Sequence, residues 1–143
     1  MYQIRECKAE DSGFIYELNR DWMGYDYPPD KTREKLCELM ARRENKILVA
    51  EESGRVVGYI HAASYDTTYS PHMKNIMGIA VSSGFQRQGI GRALLAHVEE
   101  WARQDGAAGV RLVSGSARTG AHVFYQSCGY EGDKMQLNLK KIF

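Results

Sequence analysis

The stretch Gln86-Arg87-Gln88-Gly89-Ile90-Gly91 lies between an apolar run of strand length and the clearest amphipathic helix pattern of the chain. Its two glycines let the backbone turn tightly and come close to a ligand. The first N–H groups of the helix that follows have no acceptor within the helix, and they point out of its positive end. The stretch therefore predicts a site for a phosphate or pyrophosphate, with Arg87 and Arg92 at its rim.

Two common phosphate-binding motifs do not fit this loop. Gly84 and Gly89 have the glycine spacing of a P-loop, but Ile90-Gly91 stands where that motif requires Lys followed by Ser or Thr. A dinucleotide fingerprint would have Gly or Ala at the position of Leu94, and it would not follow a β-hairpin late in the chain. The loop therefore argues against nucleotide hydrolysis and against a Rossmann domain.

Hydrophobic periodicity on both sides of the loop predicts a mixed α/β domain with helices packed on a sheet. The predicted order is strand, two helices, three strands, helix, strand, helix, strand. The predicted spans are a strand over residues 2–8, helices starting at Asp11 or Ser12 and at Asp30, strands over 46–52, 55–64 and 76–81, a helix over 91–105, a strand over 110–113, a helix over 121–128 and a strand over 135–141. Residues 65–75 are expected to form a polar, tyrosine-rich connection.

Composition indicates one globular domain over residues 1–143, because 43% of the residues are hydrophobic and 26% are charged. A net charge of +1 argues against a dedicated nucleic-acid or membrane-surface protein. No apolar run approaches the ~20 residues that span a bilayer. Because the N-terminal residues show no apolar signal core, we expect a cytoplasmic protein.

Cysteines and histidines predict neither a disulfide framework nor a metal site. The three cysteines are widely spaced without a Cys-x-x-Cys pair, and the four histidines are scattered. The other charges follow a pattern, since residues 9–30 hold six acids and one base while residues 84–120 hold five arginines and three acids. Ordinary surface scatter and an electrostatic separation of two binding sites remain open as explanations.

Two motifs together resemble the GNAT superfamily of N-acetyltransferases. The first is Q-x-x-G-x-G over residues 86–91 after Gly78-Ile79-Ala80-Val81, and it is similar to the acetyl-CoA loop of that superfamily. The second runs from Ala121 to Tyr130 and has the form Ala-x-x-Phe-Tyr-x-x-x-Gly-aromatic, typical of the superfamily's late helix. The resemblance implies a GNAT fold, with a mixed, mostly antiparallel central sheet that is splayed at the cofactor site and helices on both faces.

The resemblance also implies how acetyl-CoA, the cosubstrate, would bind. Its pantetheine arm would lie along the strand before the loop and bond to the main chain of Ile79 and Val81. Arg118 either reaches a CoA phosphate or is a solvated residue at a helix start. The pyrophosphate would meet the loop and the backbone amides after it, at Gln86, Arg87, Gln88, Gly89, Ile90, Gly91 and Arg92.

The implied reaction is direct attack of a primary amine on the thioester, through a tetrahedral intermediate. Tyr125 stands at the family's general-acid position, and a phenol that stays protonated at pH 7 suits a departing thiolate. A purely structural role for Tyr125 in the core is the alternative. Many relatives have a glutamate base on the strand before the loop, but this chain has Met77 there and Asn75 nearby. The substitutes left open are His61, His72, Asp26 and Glu51.

The acceptor site of such an enzyme would be built from the first two helices, their connection and the loop after the third strand. Trp22, Tyr25, Asp26 and Tyr65 are therefore the candidate acceptor-binding residues, and aromatic faces beside carboxylates suit a small cationic amine. A protein lysine or N-terminus is an alternative acceptor, and a homodimer is possible. A non-catalytic acyl-CoA-binding regulatory module is the alternative function.

Overall fold

The computed structural model describes residues 1–132 and 134–143. The chain divides into two compact units, residues 1–112 and 113–143, so a single domain over the whole chain stays a prediction. The helices and strands, in chain order, are β1 (Gln3–Glu6), α1 (Ser12–Leu18), α2 (Pro29–Met40), β2 (Asn45–Glu52), β3 (Arg55–Thr67), β4 (Ser70–Val81), α3 (Ile90–Gln104), β5 (Gly109–Leu112) and α4 (Thr119–Ser127). Helix α1 continues into a π-helical turn, Asn19–Met23.

The five strands form one sheet in the order β1-β2-β3-β4-β5. The first four strands pair antiparallel, and β4 and β5 pair parallel from Met73–Gly109 to Ile76–Leu112. The helix α3 supplies the long crossover that a parallel pair requires. The predicted mixed, mostly antiparallel sheet is thereby confirmed.

Helices cover both faces of the sheet. On one face, Ile15 and Leu18 of α1 and Leu36 of α2 pack in a buried cluster with β2, β3 and β4. On the other face, α3 buries an apolar stripe at helical spacing, which consists of Ile90, Leu94, Leu95, Val98 and Ala102. Gly58 of β3 belongs to that face, since a Cβ there would lie 3.2 Å from the Ile90 side chain.

A β-bulge in β4 decides which of its side chains meet which helices. Ile76 pairs with Ala62 and Gly78 pairs with His61, so Met77 is the extra residue. The bulge reverses the alternation of side chains along β4. Gly78 therefore shares the α1 side of the sheet with His61, while Met77 is 59% exposed.

A buried lysine ties the start of β4 to the end of α3. Lys74 is fully buried, and its Nζ lies 4.0 Å from the Trp101 ring centroid. The same ammonium group donates to Ser64 Oγ at 3.0 Å and forms a short ion pair with Asp105, just past α3. A buried ammonium group needs such partners, because leaving it unpaired is very costly. These contacts fix α3 against β4 on the side opposite α1.

Three predicted elements differ in the structure. Residues 65–75 are not a loop, because β3 extends to Thr67 and β4 begins at Ser70; the β-forming side chains of Tyr65 and its neighbours continue the ladder. Helix α2 begins at Pro29, so Asp30 lies in its first turn and does not cap it.

The predicted final strand over residues 135–141 is wrong. Residues 134–143 have no strand assignment, and Met135, Leu137 and Leu139 are each more than 80% exposed. Alternation by itself predicts only that a segment could form a strand, because the ladder also needs a partner. None of the strand pairs among the described residues includes this segment.

Candidate active site

The loop between β4 and α3 presents a helix N-terminus led by a glycine. Gly89 is the N-cap of α3 and has a left-handed backbone with φ of 81°, which favours glycine. Residues 86–89 are exposed, and the first backbone bond of α3 runs from the Ala93 N–H to the Gly89 carbonyl. The preceding N–H groups of the first turn therefore have no i−4 acceptor in the helix, as an anion site requires.

The register of β3 and β4 determines where the main chain of β4 points. Ser82 donates its N–H to the Val57 carbonyl, so hydrogen-bonded residue pairs recur at every second position. The N–H and C=O groups of Ala80 therefore point toward β3. The N–H and C=O groups of Ile79 and Val81 point the opposite way. The Gln86 side chain, on that side, donates to the Val81 carbonyl at 3.1 Å. Within the described residues no strand pairs there with residues 77–81, because the β5 ladder ends at Ile76.

The π-helical turn after α1 follows the same part of β4. A Cβ at Gly78 would lie 3.5 Å from both Met23 Cε and Tyr59 Oη. The Tyr59 hydroxyl makes a short hydrogen bond to Asn19 Oδ1, and burial raises the pKa of Tyr59 to about 12. Trp22 lines an open depression that also includes Ser82. The turn thus extends beside β4 from the bulge to the loop.

His61 is the titratable side chain that pairs directly across from Gly78. Its Nε2 lies 2.9 Å from Asn45 Oδ1. Because an amide oxygen only accepts, Nε2 carries the proton and Nδ1 keeps a lone pair in the neutral ring. Burial lowers the pKa of His61, so the ring is neutral at pH 7.

The three other candidate bases have different surroundings. His72 lies between Asp66 and Asp105, at 2.8 and 3.3 Å. Glu51 pairs with Arg5 at 3.0 Å. Asp26 is exposed and accepts a hydrogen bond from the Tyr16 hydroxyl at 2.6 Å. Of the four, His61 is the one that pairs directly with a residue of the bulge.

The predicted acceptor-binding residues fall on two elements. Trp22, Tyr25 and Asp26 follow α1, and all three are exposed. Tyr65 lies in β3, on the same sheet face as His61 by its spacing along the strand. A cation of the same chain already covers its ring, because Arg111 Cζ lies 4.1 Å from the ring centroid.

The second unit, residues 113–143, holds Tyr125 and Arg118. Tyr125 is half-buried in α4, with its ring centroid 5.3 Å from that of Phe124 and 6.2 Å from that of Tyr130. Burial raises the pKa of Tyr125, and the positive charge of Arg118 opposes this shift. Arg118 is the exposed N-cap of α4. The phenol is therefore protonated at neutral pH, and the places of both residues in the cofactor site stay predictions.

Sequence reasoning did not single out Asn45 or Arg111. Asn45 contacts His61 across β2 and β3, and Arg111 contacts Asn75 across β4 and β5. Neither pair has a local sequence signal, because each depends on strand register. The even spacing of His61 and Tyr65 in a β-rich run could have placed those two on one face.

Within residues 1–132 and 134–143, no group of three or more His, Cys, Asp or Glu side chains is arranged to hold a metal ion. In the same residues, no helix has the length and apolarity to cross a bilayer.

An exposed strand edge beside a helix N-terminus suits an extended ligand that ends in phosphates, as acetyl-CoA does. The model of the acetyltransferase (GNAT) family matches residues 13–130. The chain therefore belongs to the GNAT family and is an acetyl-CoA-dependent N-acetyltransferase, which confirms the resemblance seen in its two motifs.

Relatives and solved structures agree with this family. The chain is 31% identical over 137 residues to aminoglycoside N(6')-acetyltransferase type 1 of Stenotrophomonas maltophilia, covering 90% of this chain and 85% of that protein. It is 29% identical over 136 residues to the uncharacterized N-acetyltransferase YhfO of Bacillus subtilis, covering 91% and 90%. Rat N-acetyltransferase 8 matches 64% of this chain, but the match spans only 42% of that protein.

The structure of AAC(6')-Iy with the bisubstrate analog CoA-S-monomethyl-acetylneamine superposes with a TM-score of 0.86. The match covers 100% of this chain and 99% of that one at 20% identity. A transcriptional regulator from Bacillus halodurans C-125 gives a TM-score of 0.88 at 22% identity, over 99% of this chain and 100% of that one. At these identities the two structures establish the fold alone.

Proposed function

We propose that this N-acetyltransferase transfers the acetyl group of acetyl-CoA to a small primary amine that is protonated in solution. The observation that carries the proposal is the position of His61. It is a neutral base, held by Asn45 and paired with Gly78 on the α1 side of the sheet, where we place the acceptor. A chain that only bound acyl-CoA would have no need for an oriented base there. The relative from Stenotrophomonas maltophilia acetylates the 6' nitrogen of an aminoglycoside, as its name states.

The residues of the first unit fit acetyl-CoA. The main-chain groups of Ile79 and Val81 lie on an edge with which no strand of the described residues pairs, and Gly89 leads into amides suited to a pyrophosphate. At Gly89 nothing but Tyr2 Oη, at 3.9 Å, lies within 4 Å of where a Cβ would stand. When bound, acetyl-CoA supplies the thioester that the amine attacks. A backbone N–H near Val81 is suited to stabilise the oxyanion.

His61 is the proposed general base. The acceptor's ammonium form first loses a proton to water, because only the neutral amine can attack the carbonyl carbon. As that nitrogen bonds to the carbon its remaining protons become acidic, and Nδ1 of the neutral His61 ring can accept one. The lowered pKa of His61 keeps this nitrogen unprotonated at pH 7 and below. Tyr125, with its raised pKa, is the proposed acid that protonates the departing thiolate.

Asp26 is the proposed recognition group for the ammonium form of the acceptor. Its neighbours in the acidic stretch are neutralised within the chain, since Glu17 pairs with Arg55 and Asp21 pairs with Arg20. No ion pair of Asp26 is found among the described residues, and the Tyr16 hydroxyl orients its carboxylate. Asp26 is thus one of three acids of the stretch, with Glu10 and Asp30, that form no ion pair within the described residues and can meet a cation.

A panel of amines tests the proposal directly. CoA release is measured with small alkylamines, amino sugars and lysine-containing peptides at pH 7. We expect turnover with small amines and much slower turnover with peptides. Tight acetyl-CoA binding without turnover of any acceptor would support the binding module, and a preference for peptides would support a protein acetyltransferase.

The variant His61→Gln is expected to lower kcat by about 100-fold with alkylamines. A glutamine amide can still donate to Asn45, but it cannot accept a proton from the amine. The wild-type kcat should fall only when the pH drops below the ordinary histidine range near 6.5. The kcat of the variant should not show this fall at low pH.

The control for this variant is His97→Gln, which changes a histidine on the exposed side of α3. An acceptor amine that is already neutral at pH 7 should reduce the defect of His61→Gln, because its nitrogen loses a proton easily. An equal defect with both amines, or a kcat profile unchanged by the substitution, would remove His61 from the mechanism.

A further inference from the structure

We propose that the acceptor carries an anionic group, a carboxylate or a phosphate, that binds Arg111 beside the acceptor amine. The proposal rests on the proposed function, since it names the class of acceptor for the same site. The structural feature that carries it is the cluster of Arg111, Asn75 and Tyr65 on the His61 face of the sheet.

Two arginines among the described residues are half-buried, and they differ in their partners. Arg5 donates to Asp11 at 2.8 and 2.9 Å and to Glu51 at 3.0 Å. Arg111 forms no ion pair with any acid of residues 1–132 or 134–143. Withdrawing a guanidinium from water without a counter-charge is unfavourable, so a half-buried arginine of this kind suits an anionic ligand.

The neighbours of Arg111 orient it without neutralising it. Its Nη1 donates to the Asn75 amide oxygen at 2.5 Å, and its Cζ stacks over the Tyr65 ring at 4.1 Å. An amide oxygen and a ring face hold the guanidinium plane but carry no net charge. The remaining N–H groups on its edge can bind a carboxylate or phosphate with two parallel hydrogen bonds.

The sheet register places this guanidinium on the same face of the sheet as His61. Asn75 pairs with both Ala63 and Arg111, and Ala63 is two residues from His61 along β3. Measured along the strand direction, the cation lies two to four residues from His61, roughly 7–13 Å at 3.3 Å per residue, and the sideways offset between strands adds to this separation. This spacing favours an amine separated from its anionic group by several bonds, and it disfavours an α-amino acid.

The test compares acceptors of equal length that differ in charge. The wild-type enzyme is assayed at low salt with 5-aminopentanoate, 5-aminopentanamide and 3-aminopropyl phosphate. We expect kcat/KM to be at least about 10-fold higher for one of the anionic amines than for the amide, as a charge-assisted hydrogen bond provides. The preferred anion distinguishes a carboxylate ligand from a phosphate ligand, and the preference should shrink as salt screens the charge.

The variant Arg111→Met should remove this preference and leave kcat/KM for 5-aminopentanamide within about threefold, which also shows that the variant folds. Arg103→Met, at an exposed arginine of α3, is the matched control and should keep the preference.

Equal kcat/KM for the amide and the acids in the wild-type enzyme would overturn the proposal while the N-acetyltransferase function stands. A rise in the Kd of acetyl-CoA in Arg111→Met would also overturn the proposal, because it would show that Arg111 binds acetyl-CoA and not the acceptor. Absence of turnover with every amine would instead contradict the proposed function.

Discussion

Gly89→Glu is expected to abolish acetyl-CoA binding, with at least about a 100-fold rise in Kd. Gly89 is the N-cap of α3, and a carboxylate there would occupy the positive end of the helix that the pyrophosphate needs. The positive φ of 81° adds about 1–2 kcal/mol of backbone strain, too little by itself to unfold a domain. Binding is measured by calorimetry with acetyl-CoA, and folding by the thermal transition.

Gly84→Glu is the matched control for the added charge. Gly84 lies in the same loop, has no positive φ, and nothing lies within 4 Å of a Cβ there. This variant should bind acetyl-CoA within a few-fold of wild type, since its carboxylate lies before the helix and can extend into solvent. Retained affinity in Gly89→Glu would show that the cofactor binds elsewhere.

Tyr125→Phe is expected to lower kcat by about 100-fold or more while the Kd of acetyl-CoA stays within about twofold. Removal of the phenol leaves the departing thiolate without its proton donor, and the ring still packs beside Phe124. Because burial raises the pKa of Tyr125, the phenol stays protonated through the neutral range, and its ionisation should limit kcat only at alkaline pH.

Two measurements separate this catalytic role from a packing role. Tyr130→Phe removes a hydroxyl from a neighbouring ring in the same unit and should leave kcat nearly unchanged. An acetyl donor with a more acidic thiol should restore much of the activity of Tyr125→Phe, because its thiolate leaves without protonation. Unchanged kcat in Tyr125→Phe would leave Tyr125 with a structural role alone.

Elements with a strong local signal were predicted within a few residues. The apolar stripe from Leu94 to Ala102 predicted α3. Ser53-Gly54 predicted the β2–β3 hairpin, and the positive φ angles of these two residues fit a tight hairpin turn. The prediction for residues 135–141 failed, because the same alternation occurs in strands and in exposed segments without a partner. The prediction of a loop over residues 65–75 failed for a related reason, since a polar stretch forms strands once a neighbouring strand pairs with it.

The exposed helix N-terminus after residues 86–89 could be predicted from the sequence, because the glycines, the position before a helix and the backbone amides are all local properties. The arrangement of side chains on the His61 face of the sheet could not be predicted in the same way. The bulge at Met77 reverses the alternation along β4, and only the register of β3 reveals it. His61 is one of four candidate bases by sequence, and its position across from Gly78 and its hydrogen bond to Asn45 are what favour it in our proposal.

By itself the sequence determined the order of the elements up to α4, the helix N-terminus beside an apolar strand, and the resemblance to the acetyltransferase family. These features depend on residues close together in the chain. The tertiary structure decided which side chains share the His61 face of the sheet, and it brought Asn75, Tyr65 and Arg111 together from three strands. It also paired Asp11 and Glu17 of the acidic stretch with Arg5 and Arg55. Contacts of this kind depend on strand register and on distant partners, and a local pattern of residues contains neither.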